Sequence, residues 1–304
     1  MSNSDQPEPG SFAPVYDAVI VNYQSTDLLL KLLADFEKSV TPPTKIIVVD
    51  NNSTDEPERI RRYFPKTYLL SNEDNFGFAR AANQGWRLGE SPIVLFINPD
   101  ARLMRKGLDR ILHYLVKNPQ VGAVGPCILD EDGSIQGSAR GFHNFWTLFA
   151  GRKGPLTKLF PGSKIVRRDV PIMANDGMTP MEVDWVSGAC VFVKRQALEQ
   201  VGGFDQRYFM YFEDTDLCRG LKAHGWQTHY FPGYRLLHRV GQSSKKKPLQ
   251  TLWWFHESWY RYMGKHHFPD HPFVQMVLAQ IVCLCFIPRA AARLFYNLLS
   301  KREV

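Results

Sequence analysis

Apolar and polar positions along residues 16–125 fall into two alternating patterns. Four short runs rich in Val and Ile read as strands: Tyr16–Asn22, Lys45–Asp50, Thr67–Ser71 and Pro92–Asn98. Between them, Thr26–Ser39, Glu56–Phe64 and Phe78–Leu88 carry the helical spacing of apolar residues. That order, β-α-β-α-β-α-β, predicts an α/β fold whose mostly parallel sheet is covered by helices on both faces. Lys106–Lys117 adds a helix and Val121–Gly125 a strand. The pattern then fades: Gly151–Met181 is rich in Gly, Pro and basic residues, and is expected to be a long mobile loop. Order resumes at Glu182–Lys194 and in a helix over Asp214–His224. Residues 1–14 are polar and proline-rich and are expected to be disordered. They lack the basic start and apolar stretch of a secretory leader, which predicts a cytoplasmic chain.

The C-terminal part is patterned differently. Phe273–Ile287 runs for 15 residues without a charge, short of the roughly 20 that a spanning helix needs. Beyond Pro288, Arg289 and Arg293 lie one helical turn apart and are offset from Leu294 and Leu298, which is amphipathic spacing. Residues 246–304 are therefore set apart from a domain at 15–245, as a basic, aromatic, helical extension that rests on a membrane surface. The competing reading is a helical hairpin packed on the domain or on a second subunit.

Charge sharpens this division. The 304 residues carry a net charge of +7, and all of it falls in residues 236–304, where ten Lys and Arg oppose three acids. A basic tail rich in aromatics suits an anionic membrane surface. Nucleic acid is disfavoured, because long apolar runs contribute nothing to phosphate binding. With 44% hydrophobic and 22% charged residues the composition is that of an ordinary globular protein. Five cysteines without paired spacing make neither a disulfide framework nor a zinc site.

The candidate chemistry sits where the apolar strands stop. In an open parallel sheet, ligands bind outside the carboxyl ends of the strands. Here those ends read Asn22-Tyr23, Asp50-Asn51-Asn52-Ser53 and Asn98-Pro99-Asp100. Turn and cap formation explains Asn51 to Thr54 equally well. Asp100, following a buried strand and a proline, is a stronger ligand candidate. No GxGxxG follows the first strand and no GxxxxGK[ST] occurs, so a dinucleotide oxidoreductase or a P-loop enzyme is disfavoured. A nucleotide diphosphate could instead be held through a metal, with Asp100 and His238 as candidate ligands. A second cluster, Glu213-Asp214-Thr215-Asp216, follows the aromatic run Tyr208–Phe212. Acids at a helix start are ordinary, but Asp214 beside apolar rings is a candidate general base, since desolvation raises a carboxylate pKa.

These segments together carry a resemblance. VIVNYQS (19–25), VVDNNSTD (48–55), NFGFARAANQG (75–85), FINPD (96–100), VSGACVFVKR (186–195), GGFDQRYFMYFEDTDLCRG (202–220) and HRVGQSS (238–244) resemble glycosyltransferase family 2, in order, across residues 15–245. The branch they look closest to is the bacterial rhamnosyltransferases of polysaccharide and O-antigen assembly. The resemblance implies a GT-A fold, a nucleotide-sugar donor, Mg²⁺ or Mn²⁺ as cofactor, and inversion at the anomeric carbon. By position, Asn22, Asp50 and Asn52 would face the base and ribose, and Asn75, Arg80 and Asn83 would lie along the nucleotide and diphosphate. Asp100 and His238 would hold the metal, with Asn98 standing where relatives commonly have a second carboxylate. Trp185, Ser187 and Gly188 would floor the donor sugar and acceptor, Glu213 and Asp214 would form the acidic pair with Asp214 as base, and Arg239, Gln242 and Ser243 would close over the diphosphate. The branch implies dTDP-L-rhamnose as donor and a polyprenyl-diphosphate-linked glycan as acceptor, at the inner face of the cell membrane. UDP-galactose, UDP-galactofuranose and UDP-N-acetylglucosamine remain alternative donors. A non-catalytic nucleotide-sugar-binding protein on the same scaffold and a homo-oligomer also stay open.

Overall fold

The structure is a computed structural model, and it describes residues 15–144, 159, 175–239 and 248–300. The expected disordered N-terminus, residues 151–158 and 160–174 of the expected mobile loop, and Gln242 and Ser243 lie outside the described residues.

The first half follows the sequence pattern. Strands β1 (Tyr16–Asn22), β2 (Lys45–Asp50), β3 (Tyr68–Ser71) and β4 (Ile93–Ile97) alternate with helices α1 (Thr26–Lys38), α2 (Arg59–Tyr63) and α3 (Phe78–Trp86). All pairings among these strands are parallel, and Asn22 lies beside Asp50 in register. Helix α2 is shorter than its apolar spacing suggested: Glu56 takes φ +61° just before Pro57, so the helix cannot include Glu56 and runs only over Arg59–Tyr63.

The second half adds β5 (Ala101–Leu103), α4 (Leu108–Lys117), β6 (Val121–Leu129), β7 (Ala139–Arg140), β8 (Met181–Val183), β9 (Trp185–Val186), β10 (Cys190–Lys194), α5 (Arg195–Val201), α6 (Glu213–Ala223) and β11 (Gln227–His238). The resulting mixed sheet runs β3-β2-β1-β4-β10-β6-β11-β5, with β8 on β11. β10 enters antiparallel between β4 and β6. Alternation along β1 divides the core into two layers. Ala18 and Ile20 face the layer of Leu29, Leu33 and Phe36 from α1 and Ile111 and Leu115 from α4. Val19 faces the layer of Ala82 and Trp86 from α3, Leu198 from α5 and Leu217 from α6.

Two long helices follow, α7 (Pro248–His267) and α8 (Pro272–Ser300). A third apolar cluster joins them to the domain: Trp259, Tyr262 and Met263 of α7 and Leu278 and Val282 of α8 pack with Tyr208 and Phe212. Ser258 Oγ donates to the carbonyl of Met210 at 2.8 Å, and Lys265 Nζ and His266 Nε2 reach Asp216 of α6 at 2.8 and 2.6 Å. Helix α7 thus packs on residues of the domain through these contacts. Only α8 presents an open apolar face, with Phe273, Met276, Leu284 and Ile287 all more than half exposed.

Candidate active site

A cleft of about 190 Å³ opens at the carboxyl ends of β1, β2 and β4. Its wall is made by the strand register. His238, the last residue of β11, pairs with Ala101 of β5, and this brings the imidazole beside the preceding residue, Asp100. His238 Nε2 lies 3.2 Å from Asp100 Oδ1 and 3.3 Å from Asn98 Nδ2. Both Asp100 and His238 are only 9% exposed, and both line the cleft. Among the described residues no group of three or more His, Cys, Asp or Glu converges. A carboxylate and an imidazole nitrogen facing one another nonetheless fit a divalent cation whose remaining ligands come from phosphate oxygens and water.

One end of the cleft is built by a latch of side-chain amides. Asn51 Nδ2 donates to the Gly77 carbonyl at 3.1 Å and contacts Asn75 Oδ1 at 3.2 Å, while Asn75 Oδ1 also accepts from Gly77 N at 3.0 Å. Gly77 has φ +79°, and a Cβ there would sit 2.5 Å from the Phe209 carbonyl, so only glycine fits this turn. Asn51, Asn75 and Tyr23 line the cleft.

Other expected ligands lie elsewhere. Asn22 and Asp50 are buried beneath the floor: Asn22 Nδ2 donates to Asp50 Oδ1 at 2.7 Å and Ser53 N donates to Asp50 Oδ2 at 2.9 Å. Asn83 is buried and braces a turn, with Nδ2 on the Phe204 carbonyl at 2.7 Å and Oδ1 accepting from Phe204 N at 2.9 Å. Asn52 is exposed in a left-handed turn at φ +60°. Arg80 is exposed over the Phe76 ring, 3.8 Å from its centroid. Arg239 pairs with Glu131 at 2.8 Å.

The residues expected on the acceptor side assemble around β9 and α6. Trp185 Nε1 donates to the Gly141 carbonyl at 2.9 Å, and Ser187 N donates to Ser138 O at 2.8 Å. Gly188 N donates to Asp214 Oδ2 at 2.9 Å, and Thr215 N donates to Asp214 Oδ1 at 2.8 Å. One residue further on, the Ala189 carbonyl accepts from Asn98 N at 3.0 Å. Two consecutive residues thus tie the Asp214 carboxylate to the Asn98–Asp100 corner. Burial raises the Asp214 pKa, against the opposing hydrogen bonds from Gly188 and Thr215. Glu213 is raised well above the ordinary range, first by burial and then by the Asp214 charge. Its Oε2 has no hydrogen-bond partner among the described residues.

Several site residues escaped the sequence reading. Phe209 stacks on Trp254 of α7 with centroids 4.4 Å apart, and both line the cleft with Thr251. Nothing in the strand-end pattern pointed 150 residues downstream. His143 packs against Trp185, Phe212 and Tyr262 at 5.3, 4.8 and 6.1 Å between centroids. Burial, helped by Arg140, pushes its pKa down to about 3. In the unfolded chain this ring takes a proton near the ordinary histidine value, so stability is lost as pH falls from about 6.5 toward 3. One such proton gives a slope of up to about 1.4 kcal/mol per pH unit. His143→Phe is expected to flatten that dependence, so its stability relative to the parent rises steadily between pH 6.5 and 4 in urea titrations. Parallel curves would show that His143 is not buried neutral.

Comparisons with known proteins bear on the family and the fold. A model described as "Glycosyltransferase like family 2" matches residues 13–255. The N-acetylglucosaminyl-diphospho-decaprenol L-rhamnosyltransferase of Mycobacterium tuberculosis is 31% identical over 277 residues, covering 83% of this chain and 85% of that protein. Rhamnosyltransferase WbbL of Escherichia coli K12 is 25% identical over 255 residues, covering 81% of this chain and 92% of that protein. Among solved structures, the mannosyltransferase PcManGT of Pyrobaculum calidifontis, in complex with GDP-Man and Mn²⁺, superposes with a TM-score of 0.57 at 16% identity, over 95% of this chain and 81% of that one. The chain, with its GT-A fold, belongs to glycosyltransferase family 2.

Proposed function

We propose that this enzyme is an inverting, metal-dependent rhamnosyltransferase that moves L-rhamnose from dTDP-L-rhamnose to a glycan carried on a polyprenyl diphosphate, at the inner face of the cell membrane. The observation that carries the chemistry is the facing pair of Asp100 Oδ1 and His238 Nε2 at 3.2 Å on the cleft wall, tied through Asn98, Ala189 and Gly188 to Asp214. The rhamnosyl group and the prenyl-linked acceptor rest on the Mycobacterium tuberculosis relative, whose name carries both, and the rhamnosyl group also on WbbL, whose name carries that alone.

In this reading Asp214 takes the proton of the acceptor hydroxyl. That oxygen bonds to the anomeric carbon from the face opposite the nucleotide, as the bond from carbon to the diphosphate oxygen breaks. Inversion follows from the single displacement. Asp100 and His238 would hold Mg²⁺ or Mn²⁺, which when bound offsets the negative charge that develops on the departing diphosphate. Asn51, Asn75 and Tyr23 would fix the nucleoside. Trp254 and Phe209 would exclude water above it.

Helix α8 suits the membrane role. Among the described residues no helix is long and apolar enough to cross a membrane, but Phe273, Met276, Leu284 and Ile287 form an exposed, uncharged face of the kind that lies in a lipid interface.

Calorimetric titration with dTDP-rhamnose and UDP-galactose, each with and without Mn²⁺, tests the donor. Metal-dependent binding of the dTDP donor alone supports rhamnosyl transfer, and preference for UDP-galactose overturns it. Asp100→Ala is expected to abolish the Mn²⁺ dependence of donor binding and to weaken it about tenfold or more, in keeping with loss of a charged ligand. Equal metal-dependent affinity in that variant would remove Asp100 from the metal site.

A further inference from the structure

We propose that Gln136 is a positioning residue that locks His238 in one tautomer, with the proton on Nδ1 and the Nε2 lone pair aimed at Asp100. The function of that lone pair rests on the reading of Asp100 and His238 as metal ligands. The tautomer itself does not.

The inference comes from which atoms surround the Gln136 amide. Its Nε2 lies 2.8 Å from Asp130 Oδ1 and 2.9 Å from the main-chain oxygen of His238. A carboxylate and a carbonyl only accept, so the nitrogen end of the amide must face them. Reversing the amide would set its oxygen against two acceptors at hydrogen-bond distance. The amide oxygen is thereby directed at the ring, and Oε1 lies 3.2 Å from His238 Nδ1. A carboxamide oxygen cannot donate, so Nδ1 must carry the hydrogen. In the neutral ring Nε2 is then a bare acceptor, 3.2 Å from Asp100 Oδ1 and 3.3 Å from the Asn98 amide nitrogen.

The consequence is an apposition of two acceptors, one imidazole and one carboxylate, which a cation relieves. A histidine ligand commonly donates its other ring N–H to a neighbouring acceptor, which fixes the tautomer and orientation. Here a side chain from the hairpin after β6 does this for a residue at the end of β11. Gln136 grips His238 twice, once at the ring and once at the backbone. The hairpin is itself braced, with Asp130 N donating to Ser134 O at 2.8 Å and Gln136 N donating to Ile128 O at 2.8 Å. Substituting the side chain therefore leaves the main chain supported.

The test uses the full chain labelled with ¹⁵N-histidine, metal-free and at a pH where the ring is neutral, with the His238 signals assigned by their loss in His238→Gln. The ring nitrogen shifts of the parent should report an Nδ1–H tautomer. Gln136→Met keeps the length and removes the acceptor, so the ring should move to the Nε2–H form, which can donate to Asp100. Mn²⁺ affinity in the presence of dTDP should fall by about 10- to 100-fold. A parent with Nε2–H, or a Gln136→Met ring that keeps Nδ1–H, overturns the tautomer lock. A changed tautomer with unchanged Mn²⁺ affinity overturns its bearing on the metal. A parent that binds no Mn²⁺ with dTDP or UDP sinks the metal reading of the site, while the ring shifts still decide for or against Gln136.

Discussion

Asp214→Asn is expected to lower turnover by about 10²- to 10⁴-fold, the usual loss when a general base is removed, while nucleotide binding survives. The substitution preserves shape and removes basicity. It also disturbs one hydrogen bond, because Asp214 accepts from Gly188 N at 2.9 Å and from Thr215 N at 2.8 Å, and an asparagine has only one oxygen to offer. A small drop in melting temperature should therefore accompany the loss. The pH profile adds a second signature. A base works without its proton, so the rate falls as pH drops through the Asp214 pKa. Burial raises that pKa, which shifts the acid limb of the parent profile upward from that of an ordinary aspartate. In Asp214→Asn that limb should vanish from the residual activity. Turnover close to that of the parent would remove Asp214 as the base. A loss of nucleotide affinity matching the loss of turnover would make it a binding residue instead.

How much of this site could be read along the chain depends on how local each part is. Strands β1 to β4 are near-continuous apolar runs, and α1 and α3 carry a clear helical period, so their order and the parallel half-sheet were legible. β5 and β11 were not. β5 has three residues, and β11 contains Pro232 and Gly233, which ordinarily mark turns. Between Phe231 and Arg235 its register shifts against β6, so the strand continues through an irregularity that composition alone reads as a break. That continuation sets His238 beside Asp100. Sequence could nominate the two residues but had no register to join them. The strand-end residues give the opposite case. Asn22 and Asp50 look like free ligands in a linear reading, but parallel strands in register place them side by side, where Asn22 Nδ2 donates to Asp50 Oδ1 while Asn22 Oδ1 has no hydrogen-bond partner among the described residues. Asn51, one residue past Asp50, lines the cleft instead.

The C-terminal helices were ambiguous for a physical reason: an apolar, aromatic stripe has the same spacing whether it meets lipid or protein. The structure separates the two helices, and truncation should do the same. A chain ending at residue 247 loses Trp259, Tyr262 and Met263, which are 3%, 0% and 2% exposed. At about 1.5–3 kcal/mol for each fully buried apolar side chain, that is a large part of the roughly 5–15 kcal/mol that stabilises a domain. It also uncovers Tyr208 and Phe212. The loss reaches the chemistry, because Tyr211 and Phe212 hold φ of +71° and +65° immediately before α6. Each such residue costs on the order of 1–3 kcal/mol and persists only when its surroundings impose it. Here α7 does so, through Phe255 and Tyr262 against Phe212 and Ser258 on the Met210 carbonyl. Released, that turn relaxes, and Asp214 at the second position of α6 moves with it. The 1–247 chain should therefore be insoluble or inactive. A chain ending at residue 271 keeps α7 and sheds the exposed Phe273, Met276, Leu284 and Ile287 together with the buried Leu278 and Val282, so it is expected to be less stable than the parent. It should fold, bind nucleotide as the parent does, and no longer sediment with vesicles containing phosphatidylglycerol. Retained vesicle binding by 1–271 would move the membrane contact from α8 to the domain surface. A stable, active 1–247 would contradict the placement of α7 in the core.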